Sequence, residues 1–104
     1  MARLCIFEYT GMGAVNVEVY GGATYHVRDV LKRLGFKWDA EARKWRRHEA
    51  DADEVRSELV RELERRGFTV TIVKERCWSD LINDLAYYYF VKMEVTAQVE
   101  VRAQ

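Results

Sequence analysis

Apolar and polar positions alternate with two different periods along this chain, and the switches between them mark its elements. Residues 3–9, Arg3 to Tyr9, have an apolar, aromatic-rich body that predicts a strand. Gly11 and Gly13 then supply a turn. Over residues 14–20, Val15, Val17 and Val19 fall on one face and Asn16 and Glu18 on the other, so the two runs predict an opening hairpin. After Gly21-Gly22 the period changes. Val27, Val30, Leu31 and Leu34 follow helical spacing, with Thr24 as the predicted N-cap and Gly35 where a left-handed C-cap belongs.

Residues 36–38 and 44–47 predict two short strands around Asp39-Ala40-Glu41-Ala42-Arg43. The loop lacks glycine, which selects a longer connection built on a type I turn, with the Asp39 carboxylate accepting from amides just ahead of it. Trp38 and Trp45 become near cross-strand neighbours. A second helix is predicted over 52–66, capped by Asp51 and burying Ala52, Val55, Leu59 and Leu63. Asp53 and Glu54 sit in its first turn and Arg65 and Arg66 in its last, the arrangement a helix dipole favours. Phe68 to Val73 is β-branched and predicts a strand. A third helix is predicted over 79–89, with Trp78, Leu81, Ile82, Leu85, Ala86 and Tyr89 on one stripe. Residues 91–101 alternate throughout and predict a final strand, long enough that part of it is expected to pair with another chain. The predicted order is β-β-α-β-β-α-β-α-β. That is an α+β fold in one domain, residues 1–104, with helices on one face of a mainly antiparallel sheet.

Composition leaves this picture intact. Of 104 residues, 49% are hydrophobic and 33% charged, enough to bury a core and too apolar for a disordered chain. The charge-rich, proline-free chain also suits a heat-adapted source. No run is long and apolar enough to span a membrane, and no leader peptide is visible, which predicts a cytoplasmic protein without membrane contact. Cys5 and Cys77 lack metal spacing, and Cys5 reads as a small core residue.

Charge distribution adds more. The net charge is zero, yet Arg28, Lys32, Arg33, Lys37, Arg43, Lys44, Arg46 and Arg47 fall within residues 28–48 against only Asp29, Asp39 and Glu41. His26 and His48 flank this basic segment. It also holds two of the three tryptophans, Trp38 and Trp45. Interleaved aromatics and cations are what an unpaired nucleic acid strand needs: rings for base stacking and cations for phosphates. The expected contacts are Arg28, Lys32, Lys37, Arg43, Lys44, Trp45, Arg46 and Arg47. Strand alternation divides them, sending Lys44 and Arg46 to one face and Trp45 and Arg47 to the other. Trp38, alternating with Phe36, is expected in the core, and Trp45, among basic neighbours, is the expected stacking residue. The bland alternative is a solvated charged face paired with Asp39, Glu41 and Glu49.

Other chemistry finds little support. His26 and His48 have no second ligand pair at metal spacing. Glu75, Asp80 and Asp84 read as ordinary polar residues beside the third predicted helix. No nucleophile–base arrangement, phosphate-binding loop or cofactor motif is present, so no enzyme, metal or cofactor is expected. Residues 87–90, Tyr-Tyr-Tyr-Phe, are aromatic enough to suggest an interface.

The run from Thr24 to Arg47, with the helix and Gly67-Phe68-Thr69-Val70 after it, resembles small domains appended to helicases and primases. These are the damage-recognition domain beside archaeal relatives of the xeroderma pigmentosum B helicase, the HARP domain of annealing helicases, and a domain of plasmid primases. The resemblance rests on Val15–Val19, Val27–Gly35, Trp38-Asp39, Lys44-Trp45 and Val55–Val70, and covers residues 15–73. It implies a helicase-associated DNA-binding accessory module rather than a motor. The expected function is therefore non-catalytic binding of DNA or RNA, with a preference for shape or single strands because no base-reading pattern is present. A helicase or nuclease is the implied partner. The alternative is a protein-interaction or homodimerisation module serving a DNA-processing enzyme.

Overall fold

The opening alternation forms the hairpin it predicts. In the computed structural model, which describes residues 1–11, 13–78 and 87–97, β1 (Ala2–Gly11) and β2 (Ala14–Tyr20) pair antiparallel, with Ile6 opposite Val19 and Phe7 opposite Glu18. At the end of β2 the backbone passes too close to β1 for a side chain. Gly21 has φ 110°, and a Cβ there would stand 2.3 Å from the Arg3 carbonyl oxygen.

A 3₁₀ segment, Gly22–Val27, leads into the short helix α1 (Arg28–Arg33). Thr24 lies inside this segment rather than capping the helix, and its hydroxyl donates to the Gly21 carbonyl at 2.7 Å. The end of α1 matches its prediction. Gly35 has φ 89°, its N–H bonds the Lys32 carbonyl, and the Phe36 N–H reaches Leu31.

β3 (Lys37–Asp39) and β4 (Lys44–His48) follow around a loop, Ala40 to Arg43. Asp39 Oδ1 accepts from the amides of Glu41 at 3.1 Å and Ala42 at 3.0 Å, as the glycine-free loop requires. Bonding from the Ala42 amide, with the Arg46 charge nearby, lowers the Asp39 pKa. Helix α2 (Ala52–Arg65) is capped by the Asp51 carboxylate, which accepts from the amides of Asp53 and Glu54. Its Ala52 N–H donates to Glu8 of β1 at 3.0 Å, tying the helix start to the sheet.

With β5 (Phe68–Trp78) and β6 (Tyr87–Ala97) the strands form one antiparallel sheet, ordered β3-β4-β2-β1-β6-β5. Leu4, Ile6, Val17, Val19, Val91, Met93 and Val95 point to one face. There they meet Val27, Val30 and Leu31 of the first helical segment and Val55, Leu59 and Leu63 of α2. The described helices therefore lie on one face, as predicted. No described helix is long and apolar enough to cross a membrane.

The element order differs from its prediction. Among the described residues it is β-β-α-β-β-α-β-β. Tyr89, predicted on a third helix over 79–89, lies in β6, buried beside Val91, and Trp78 belongs to β5. The alternation of 91–101 extends backwards through Tyr89, and an aromatic run suits a strand. Residues 79–86 of the predicted helix lie outside the described residues. The final strand is also not an edge. β6 pairs with β1 over residues 89–95 and with β5 from Tyr87 to Ala97, so residues 89–95 are flanked by a strand on both sides. Residues 98–101 lie outside the described residues. β5 is the long edge strand, and register irregularities at Ile72/Lys74 and Glu75/Cys77 interrupt it.

A bidentate pair clasps α1 to the end of α2. Arg66 Nη1 donates to Asp29 Oδ1 at 3.0 Å and Nη2 to Oδ2 at 2.7 Å, while Nη1 also reaches the His26 carbonyl at 2.6 Å. The guanidinium holds the Asp29 carboxyl at about 2, below its ordinary 3.8. A depressed folded-state pKa stabilises the fold above the unfolded-state value and loses that contribution as pH falls through the folded-state value. Urea unfolding should therefore find Asp29→Asn less stable than wild type at about pH 5, with the gap closing towards about pH 2. A gap independent of pH would show that the clasp acts through packing alone. High salt should narrow it, since Asp29 is exposed.

Candidate functional site

The basic hairpin is split by the pleat of β4. Trp45 pairs with Val19 of β2 and with Trp38 of β3, so it shares the helix-covered face of the sheet. There it is only 5% exposed. Lys44 and Arg46 take the opposite face, as alternation requires. On that face Glu18 is buried and needs charge compensation. Lys44 Nζ lies 3.2 Å from its Oε1 and Arg46 Nε 3.0 Å from its Oε2, and Arg46 Nη1 also reaches Asp39 at 3.1 Å. These two cations neutralise a carboxylate that could not otherwise be buried.

The two tryptophans exchange their expected places. Trp45, the expected stacking residue, is a core side chain. Trp38, expected in the core, is 49% exposed. The reason is the sheet edge. β3 is three residues long and pairs only with β4, so no described strand flanks Trp38 on its outer side. The rings pack at 5.4 Å between centroids with an interplanar angle of 55°, so Trp38 rests on the buried indole.

Beside this pair opens a cleft of about 450 Å³ lined by Gly21, Gly22, Thr24, Tyr25, Arg28, Lys32, Trp38 and Trp45. Tyr25 is 63% exposed. The Arg28 guanidinium carbon lies 4.2 Å from the centroid of its ring, a cation–π contact that holds the side chains at the rim. The cleft thus presents two solvent-facing aromatic side chains, an indole floor and two cations. Neither Arg28 nor Lys32 makes a salt bridge to a described residue, and the same holds for Lys37, Arg43 and Arg47. Arg47 lies on the same side of the sheet near Gly35, where a Cβ would stand 3.6 Å from Arg47 Nε. Arg43 sits in the β3–β4 loop with φ 56°.

Of the expected contacts, Arg28, Lys32 and Trp45 come together at the cleft, and Lys44 and Arg46 take the opposite face, the division that strand alternation predicts. Tyr25 was missed because it belongs to no periodic pattern; its signal was an aromatic beside His26 just before a basic helix. Chemically, the cleft suits a planar ligand that carries negative charge, with rings for stacking and cations for the charge.

The other singled-out residues are accounted for locally. His26 packs on Phe68 at 4.6 Å between centroids, and His48 bonds Asn16. Glu75 pairs with Arg56, and Asp80 and Asp84 lie outside the described residues. Among the described residues no group of three or more His, Cys, Asp or Glu side chains could hold a metal ion. Cys5 is a buried free thiol, and burial pushes its pKa up.

The exchange of the two tryptophans has a measurable signature. Trp45→Ala should lower stability by about 3–5 kcal/mol, the usual cost of truncating a buried aromatic. Trp38→Ala should cost much less, within about 1.5 kcal/mol, because its indole stacks on one side only. Equal losses in chemical denaturation would contradict this assignment. Comparison with protein-family models, curated proteins and solved structures finds no match to this chain.

Proposed function

We propose that this chain is a non-catalytic nucleic-acid-binding accessory domain, and that the cleft between the 3₁₀ segment, α1 and the β3–β4 hairpin is its binding site. The observation that carries the reading is the convergence of exposed Tyr25 and Trp38 with Arg28 and Lys32, cations without carboxylate partners among the described residues. Solvent-facing rings beside unneutralised cations match a ligand that alternates bases and phosphates. Trp38 and Tyr25 stack on unpaired bases, Trp45 supports Trp38 from below, and Arg28 and Lys32 contact phosphates. Arg43 and Arg47 extend the cationic rim, and Lys37, paired with Arg46, lies on the opposite face of the sheet. Lys44 and Arg46 act in the fold, neutralising Glu18.

The resemblance of residues 15–73 to domains appended to helicases and primases supports the same class. It adds the expectation of a helicase or nuclease partner that supplies the catalysis. The sequence carries no base-reading pattern, so stacking and charge give a preference for single strands rather than for sequence.

Titration of labelled single- and double-stranded DNA and RNA at two salt concentrations tests this. Wild type should bind single strands with an affinity that falls steeply as salt rises. Tyr25→Ala with Trp38→Ala should weaken binding by about tenfold or more, since stacking contributes about 1–3 kcal/mol per base. Arg28→Glu with Lys32→Glu should weaken it and flatten its salt dependence. Absence of binding by wild type at low salt would remove the reading. Unchanged binding by both variants would move the site elsewhere.

A further inference from the structure

The described helices leave the opposite face of the sheet uncovered, and its side chains are not those of an inert solvated surface. Strand register places Phe7 and Tyr9 of β1, Tyr20 of β2 and Phe90 of β6 on it. Tyr9 stacks on Phe7 at 5.5 Å between centroids, inclined by 28°, and Phe7 meets Phe90 edge-on at 6.4 Å. An aromatic strip therefore crosses from one central strand to the next. All four rings are half-buried, and Lys44 Nζ lies 5.0 Å from the Tyr20 centroid and Lys74 Nζ 5.7 Å from that of Phe90.

Charge on this face is biased the same way. Lys44 and Arg46 are taken up by Glu18 and Asp39. Arg3, Lys37 and Lys92 lie on the same face by register and form no salt bridge with a described residue. Against them, among the described residues, stands one carboxylate outside the Glu18 cluster, Glu94, opposite Arg3. A chain of zero net charge thus concentrates cations beside aromatics on the face that the described helices leave open. Six strands spaced by ~4.8 Å make that side roughly 24 Å wide, room for several nucleotides of an extended strand.

We infer that this face is a second contact surface for single-stranded nucleic acid, with bases on Tyr9, Tyr20 and Phe90 and phosphates at Arg3, Lys37 and Lys92. A single strand fits where a duplex does not, because only unpaired bases can lie on rings set into a sheet. The surface goes beyond the proposed cleft and is separable from it: the two lie on opposite faces of the sheet and share no side chain.

The test uses a fluorescent oligothymidylate about 15 nucleotides long, near the upper site size of small single-strand-binding folds. Arg3→Glu with Lys92→Glu should weaken binding about tenfold, and the log–log salt slope should fall by about 1.4, the loss expected for two single-strand phosphate contacts. Circular dichroism should show this double variant folded. Photocrosslinking of wild type to a strand carrying 5-iodouracil, with mass-spectrometric mapping, should mark Tyr9, Tyr20 or Phe90, independently of any variant's stability. Wild-type affinity in the charge-reversed variant would overturn the inference. Crosslinks confined to Tyr25 and Trp38 would overturn it while leaving the cleft standing. Crosslinks on the open face that persist in Tyr25→Ala/Trp38→Ala would support it even if the cleft reading failed. Equal competition by polyglutamate would reduce the face to a general polyanion surface and also overturn it.

Discussion

Burial of Trp45 decides how the basic segment is displayed. Once the indole enters the helix-covered face, the pleat of β4 leaves Lys44 and Arg46 no choice but the other side. The rest follows from that. Trp38, directly across from Trp45, gains a ring to rest on and an open flank at the sheet edge. Arg28 and Lys32 arrive beside it because Gly35 turns the chain from α1 straight into β3. The cleft is thus a by-product of core packing rather than a separate construction.

Ionic pairing divides the cations into two populations. Some answer a fold requirement. Glu18 is buried and is met by two cations, and Arg66 joins α2 to α1 through Asp29. Others, including Arg28, Lys32 and Arg47, have no carboxylate within reach among the described residues. Surface cations that a fold leaves unneutralised carry little stability and are available for a ligand. On a chain with no net charge this division is more informative than the total.

Much of the architecture could be read from the chain because its cues are local. Asp51 followed by an apolar stripe gives α2, Gly35 gives the end of α1, and Asp39 folds the loop between β3 and β4. What could not be read depends on pairing at a distance. Nothing near Trp38 reveals that β3 is an edge, or that β4 lies against β2 rather than ending the sheet. The Trp assignment was inverted for that reason. Residues Tyr87–Tyr89 differ from their predicted helix because apolar residues at helical spacing also satisfy strand alternation when a strand follows them, and periodicity alone does not separate the two. Of the candidate site, Arg28 and Lys32 were visible as a pair one turn apart. Tyr25 was not, since its role comes from the 3₁₀ segment that no local pattern announced.

The position of β6 has a kinetic consequence. It is the last described strand in the chain, yet it sits between β1, the first described strand, and β5. Until residues 87–97 have left the ribosome, β1 and β5 each show an unpaired edge, and the β1 edge waits while all the residues between β1 and β6 are made. Closing the sheet then requires contacts across nearly the whole described chain, such as Leu4 with Met93. Pairings of such long sequence separation form slowly. The vulnerable species for this protein is therefore the nascent chain, whose exposed β1 edge invites pairing with a neighbouring copy before its own final strand arrives.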